Sequence, residues 1–447
     1  MEEYHDFPHN FLWGCATASY QVEGAAHVDG RTDSIWDTYC RKPGAVYAGE
    51  CGEVSVDQYH RYAEDVALMA RLGFKSYRFS ISWTRLVPEK GGPVNQKGVE
   101  YYRNLCLELK KYGISPAVTL YHWDLPQYLE NEGGWAARST AYAFLDYAKL
   151  CFSLFGDVVE RWFTLNEPYC SSYLGYQVGR HAPGYQNPEL ANKAVHHLNL
   201  AHGLAIQAYR KTGLTAQIGI VLNPVYPRPA SGSEDDILAA NLACAYETDV
   251  FLHPILGKGY PSLVTQTLGI TYPIVEGDMD IIASAIDFLG INYYFENVVA
   301  YTPNTFPYYT QVPNWQQTTE MGWPIVPSGL LRLLRYISKE SNNISLYITE
   351  NGCACDDKVD KDGRVHDRER CEYLLSHIRT VRKAIEEGIA VKGYYVWSFI
   401  DNFEWGYGYT KRFGVVYADY ASLERIPKDS AYLMRDLMAG FFHKGLD

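Results

Sequence analysis

The sequence predicts an α/β protein built as one closed (β/α)8 barrel, the TIM-barrel architecture, over residues 1–447. Three observations lead there. Eight short strand-like runs are spread along the whole chain. Helix-like segments lie between most of them, the alternation expected of a parallel sheet with crossover helices. No long Ser/Gly/Pro linker or low-complexity block divides the chain, and no GxGxxG follows the first strand to favour an open, doubly wound sheet.

Taken in order, the first strand is expected over residues 11–18. A helix over 57–72 follows, with Tyr59, Tyr62, Val66 and Met69 three and four positions apart, the spacing of one helix face. Gly73 stands where a helix commonly ends. The second strand, 74–81, places Tyr77, Phe79 and Ile81 on one face, so Arg78 and Ser80 point the other way. Further strands are expected over 114–121, 160–166, 217–223, 286–293, 345–349 and 392–398. Helices over 141–155 and 368–387 are the clearest of those between them.

Composition excludes several function classes. The formal net charge is −12, with no dense Lys/Arg run, which argues against phosphate-directed binding of nucleic acid and against an anionic membrane surface. No stretch reaches the roughly 18 apolar residues of a membrane span. The start, Met1-Glu2-Glu3-Tyr4-His5, lacks the basic and apolar regions of a secretory signal, so a cytoplasmic location is expected. The 10 Cys form no paired CxxC motifs and are read as reduced thiols.

In such a barrel, functional side chains gather at the C-terminal ends of the strands. Those ends carry Arg78, His122-Trp123, Asn166-Glu167, Asn292-Tyr293-Tyr294, Glu350-Asn351 and Trp397-Ser398. Polar groups beside Trp suit a sugar, whose hydroxyls take hydrogen bonds while its C–H face lies on an aromatic ring. Two ends carry a Glu, and glycoside cleavage commonly uses two carboxyl groups, one protonated and one ionised, with no metal or cofactor. From spacing alone, a lone Glu at a strand end is more often a surface or salt-bridging residue. Parity does not decide, because the adjacent Asn166 and Glu167 would face opposite ways in a regular strand.

At these residues the sequence resembles family 1 of the glycoside hydrolases, and within it the β-glucosidases, over nearly the whole chain. Thr164-Leu165-Asn166-Glu167-Pro168 is similar to the family's acid/base motif and Ile348-Thr349-Glu350-Asn351-Gly352 to its nucleophile motif. Phe11-Leu12-Trp13-Gly14, Ala16 through Gly24, Arg78 through Trp83, Tyr121 through Pro126 and Asp401-Asn402-Phe403-Glu404-Trp405 resemble further family blocks.

The resemblance implies Glu167 as general acid/base and Glu350 as nucleophile, supported by Arg78, Asn292 and Tyr294. It implies Gln21, His122, Trp123, Asn166, Glu404, Trp405 and Phe413 in substrate binding, Trp397 as stacking platform and Trp323 on the leaving-group side. At Trp323, core packing is an equal alternative. A cis peptide between Trp397 and Ser398 is also implied. Arg78 and Tyr294 would keep Glu350 ionised, whereas burial and the Glu350 charge would raise the pKa of Glu167.

The implied activity is hydrolysis of terminal β-D-glucosyl residues of β-glucosides and short β-linked oligosaccharides such as cellobiose, with retention. Cleavage of galactosides or fucosides and net transglycosylation share that mechanism. A silent sugar-binding protein is disfavoured because both Glu are present. Glu404, as a carboxylate, would repel a phosphorylated sugar, and Glu167 in place of Gln argues against a thioglucosidase. Tyr169-Cys170 departs from the Trp and aliphatic residue of many relatives, beside the leaving-group pocket. His196, His197 and His202 lack HExxH spacing and are read as solvated or core residues.

Overall fold

The computed structural model describes residues 7–440. Eight parallel strands close into a barrel: β1 Leu12–Ala16, β2 Ser76–Ser80, β3 Ser115–Tyr121, β4 Arg161–Asn166, β5 Gln217–Leu222, β6 Phe288–Asn292, β7 Leu346–Asn351 and β8 Val391–Trp397. Each pairs with its sequence neighbours, and β8 closes onto β1 with Leu12 opposite Gly393 and Ala16 opposite Trp397. Helices Gln58–Arg71, Gln96–Lys111, Arg138–Phe155, Pro188–Arg210, Pro327–Glu340 and Arg368–Glu386 form crossovers around the barrel. The fold class is the one the alternation of elements predicts. Among the described residues no helix is long and apolar enough to cross a membrane.

Local chemistry explains the element ends. Pro188–Arg210 starts at Asn187, whose side chain accepts from the Glu189 and Leu190 N–H groups, and Pro188 supplies a preset first turn. Gly73, after the helix Gln58–Arg71, has φ +85°, a conformation that favours glycine. On β2, Tyr77 and Phe79 join the core between strands and helices, while Arg78 points into the barrel. A second core fills the barrel, including Ala16, Ala117, Phe163, Val221, Phe288, Tyr347, Tyr395 and Trp397. Large rings there face gaps left by small residues: a Cβ on Gly14 would lie 2.3 Å from the Tyr395 ring.

Three details differ from the sequence reading. The first strand is shorter, Leu12–Ala16. The seventh runs on through Glu350 to Asn351, with register shifts after Ile348 against both neighbours. Such an irregularity re-aims side chains at a barrel rim. A small sheet of Arg228–Pro229, Val298–Tyr301 and Tyr309–Val312 is built from the segments after β5 and β6, where no strand is expected. His196, His197 and His202 are buried, each on its own partner: Asp278, the Trp135 carbonyl and Thr164. That makes them packing residues.

Candidate active site

Backbone geometry resolves the parity problem at Asn166 and Glu167. β4 ends at Asn166, and Glu167 adopts φ +47°, a left-handed conformation uncommon for a non-glycine residue. Its N–H donates to the Val221 carbonyl at 2.9 Å, which fixes the turn. Asn166 and Glu167 therefore reach the same pocket. Trp123 (φ +76°) and Trp405 (φ +50°) turn the chain in the same way at the rim.

One hydrogen-bonded bridge joins the two carboxyl groups. Arg78, fully buried, donates through Nη1 to Glu350 Oε1 (2.7 Å) and through Nη2 to Asn166 Oδ1 (2.7 Å). Asn292 Nδ2 donates to the same Asn166 oxygen (3.2 Å) and to Glu167 Oε1 (2.5 Å). Tyr294 donates to Glu350 Oε2 at 2.7 Å, and Cys170 Sγ to Glu167 Oε2 at 3.0 Å. Two further residues hold the bridge: Thr119 accepts from Arg78 Nε (3.1 Å) and Thr349 donates to Asn292 Oδ1 (2.7 Å). The sequence reading names neither, although Thr119 lies two residues from the inward Ala117 and so shares its face.

Aromatic rings and amides form the walls. His122 is stacked between Trp397 (5.9 Å between centroids) and Trp405 (6.1 Å). Its Nε2 accepts from Asn166 Nδ2 at 3.0 Å, leaving the proton on Nδ1, which has no partner among the described residues. Gln21 donates to Asn402 Oδ1 (3.0 Å) and the Phe403 carbonyl (2.8 Å), and its buried Oε1 is likewise unpartnered. Trp123 instead directs its indole N–H to the Asn166 carbonyl (3.0 Å) and packs on Trp405. It is a wall of the pocket with no free donor. On the other side Trp323 meets Tyr294 (5.4 Å) and Phe413 (6.1 Å). The Trp397–Ser398 peptide is cis.

The loop after Glu350 is clamped. A Cβ on Gly352 would lie 1.8 Å from the Trp397 carbonyl oxygen, so only glycine allows β7 and β8 to meet there. Beyond it, the buried Arg370 donates to the Cys353 carbonyl and pairs with Asp357 (2.6 Å) and Asp367. Lys428 joins Asp357 (2.5 Å) to Asp401 (2.7 Å), and Asp401 takes Arg412 (2.7 Å).

Burial and charge separate the carboxyl groups. Burial, then the charge of Glu350, raises Glu167 to about 7, with Asn292 and Cys170 only partly offsetting. Burial also raises Glu350 above the ordinary glutamate range, against the pull of Arg78 and Tyr294. Those two partners favour the carboxylate in the direction expected, and burial opposes them. Of the two carboxyl groups the guanidinium contacts only Glu350, which favours Glu350 as the ionised partner of the pair. Glu404 rises to about 8 through burial and then the charges of Glu350 and Glu167.

These shifts predict that stability declines as the pH rises from about 6.5 through 8. Glu167, Glu404, Asp124 and Glu247 are raised to about 7, 8, 7 and 7, chiefly by burial. Their contributions are complete below the unfolded value of about 4–4.5 and are lost as pH rises through the folded values. His122, His181, His202 and His377 are lowered by burial, so their contributions are lost as pH falls below about 6.5. The melting temperature should therefore fall by a few degrees between pH 6.5 and 8. Glu404→Gln should reduce that fall, and an unchanged slope would contradict the assignment.

The family model described as "Glycosyl hydrolase family 1" matches residues 3–440. "Beta-glucosidase A" of Thermotoga maritima is 46% identical over 428 residues, covering 95% of this chain and 96% of that relative. A "Bifunctional beta-D-glucosidase/beta-D-fucosidase" of Bifidobacterium breve is 44% identical over 449 residues, with coverages of 95% and 96%. Among solved structures, a β-glucosidase from Thermotoga maritima in complex with glucoimidazole superposes with a TM-score of 0.95 at 45% identity. That match covers 98% of this chain and 100% of the other.

Proposed function

The chain belongs to glycosyl hydrolase family 1, and from that premise we propose that it is a retaining β-glucosidase acting through Glu350 and Glu167. The observation that carries the reading is the single Arg78–Asn166–Asn292 bridge, which hangs both carboxyl groups on one pocket with a cation on one side only. A nucleophile and a general acid need that asymmetry.

The terminal β-D-glucosyl unit lies on Trp397. His122 Nδ1, Gln21, Asn166, Glu404 and Trp405 hold its hydroxyls, and Trp323 and Phe413 face the leaving group. Glu350 attacks the anomeric carbon while the Glu167 proton passes to the departing glycosidic oxygen. Esterification removes the Glu350 charge and, with it, the electrostatic part of the rise at Glu167. Glu167, now ionised, takes a proton from water, whose oxygen bonds to the anomeric carbon and releases Glu350. Two inversions give net retention.

The test is a panel of nitrophenyl β-glycosides followed by NMR of the first-formed sugar. The β-anomer of glucose is expected first, and an α-anomer would overturn double displacement. The relative named for both glucosidase and fucosidase activity makes β-D-fucoside the informative second substrate.

A further inference from the structure

The loop after Glu350 carries two thiols one residue apart, Cys353 and Cys355. The cysteines are all reduced. Among the described residues these are the only two thiols hydrogen-bonded to each other, with 3.8 Å between their Sγ atoms. A disulfide needs about 2.0 Å, so closure would draw the sulfurs together by nearly half their separation.

Packing as a small apolar side chain would account for a single buried cysteine. The surroundings of this pair go further. Ala354, between the thiols, belongs to the core that fills the barrel, with Trp397 and Phe413. Its carbonyl accepts the Glu320 N–H (3.2 Å), which ties it to the turn bearing Trp323. The Cys355 N–H donates to the carbonyl of Arg412, the residue before Phe413 (3.2 Å), and Arg370 Nη2 donates to the same oxygen (2.8 Å). Upstream, Gly352 is pressed against the Trp397 carbonyl, two residues from Glu350. A contraction between Cys353 and Cys355 is therefore passed to Glu350 and to the aromatic walls of the pocket. Cys355 is the more accessible thiol, 8% exposed against 2% for Cys353. The Cys353 hydrogen bond draws it below the ordinary thiol range, against burial and with help from Arg370, and the thiolate is the form that attacks oxidants.

We propose that Cys353 and Cys355 are a peroxide-responsive dithiol whose closure to a disulfide displaces the loop after Glu350 and reversibly switches hydrolysis off. The Cys355 sulfur attacks one oxygen of hydrogen peroxide, the O–O bond breaks, and Cys355 becomes a sulfenic acid with release of one water. The Cys353 sulfur then attacks the Cys355 sulfur, and its proton leaves with the sulfenic hydroxyl as a second water. The two sulfurs lose two electrons in all, and the peroxide gains them. The switch rests on the β-glucosidase reading for the activity it controls.

The experiment exposes the enzyme to hydrogen peroxide, removes the excess with catalase and divides each sample. One half is assayed on 4-nitrophenyl β-glucoside. The other is alkylated in denaturant and digested with trypsin, which releases residues 340–358, a peptide with Cys353 and Cys355 and no other cysteine. In the wild type this peptide should become two hydrogens lighter and escape alkylation. At full oxidation kcat should fall about 10- to 100-fold, the scale on which a small misplacement of catalytic groups costs rate, and dithiothreitol should restore both. Cys355→Ser, alone and combined with Cys353→Ser, should keep its own untreated rate after the same exposure. A wild-type peptide that stays a dithiol, or a disulfide formed with the rate undiminished, would overturn the proposal, as would an equal reversible loss in the variants. Inactivity before any exposure would overturn the glucosidase reading itself, and with it the switch.

Discussion

Glu350→Ala should lose hydrolysis of nitrophenyl β-glucosides by about 100,000-fold or more, the scale on which an enzyme loses its nucleophile. Added azide should restore turnover and yield α-glucosyl azide. The substitution empties the space beside Arg78 and leaves its guanidinium without its anionic partner. A small anion can occupy that space and attack the anomeric carbon from the face Glu350 would have used. One displacement inverts the centre, so the β-glucoside becomes an α-azide. Formation of the β-azide, or undiminished hydrolysis, would remove Glu350 from the nucleophile role. Arg78→Lys tests the same pocket more gently: it keeps the charge but cannot span Glu350, Asn166 and Thr119 together.

Glu167→Ala should divide substrates by leaving group. For alkyl or sugar aglycones, which depart only when protonated, kcat/KM should fall about 100- to 10,000-fold. Dinitrophenyl glucoside, whose leaving group departs unaided, should form the glycosyl-enzyme at nearly the wild-type rate and then stall. Azide should release that intermediate as β-glucosyl azide, the product of two inversions. The wild-type kcat/KM should also decline as pH rises through about 7, where Glu167 gives up its proton, and this alkaline limb should vanish in the variant. An equal loss on all leaving groups, with the limb retained, would assign the proton to another group.

Much of this is legible in the sequence because it is periodic. Period-two strands and helices between them announce the barrel, and polar residues at successive strand ends announce the pocket. Inward orientation of Arg78 follows from the outward Tyr77 and Phe79. What the sequence reading misses depends on conformation or on distant partners. No strand pattern reveals that Glu167 turns left-handed and joins Asn166 in one pocket. Nor does any local pattern show that burial, and then the charges of Glu350 and Glu167, raise the Glu404 carboxyl to about 8. Thr349 gains its place because β7 shifts register beside it.

Closure of the barrel through its first and last strands sets the order in which the pocket can exist during synthesis. Gln21 leaves the ribosome long before Asn402, the residue 381 positions later on which its amide rests. Until Val391–Trp397 emerges, the nascent chain presents Leu12–Ala16 as an open edge and has no floor for the sugar. A growing polypeptide of this kind is exposed to mispairing for most of its translation, and shielding of that early edge by chaperones would act before any catalytic competence appears.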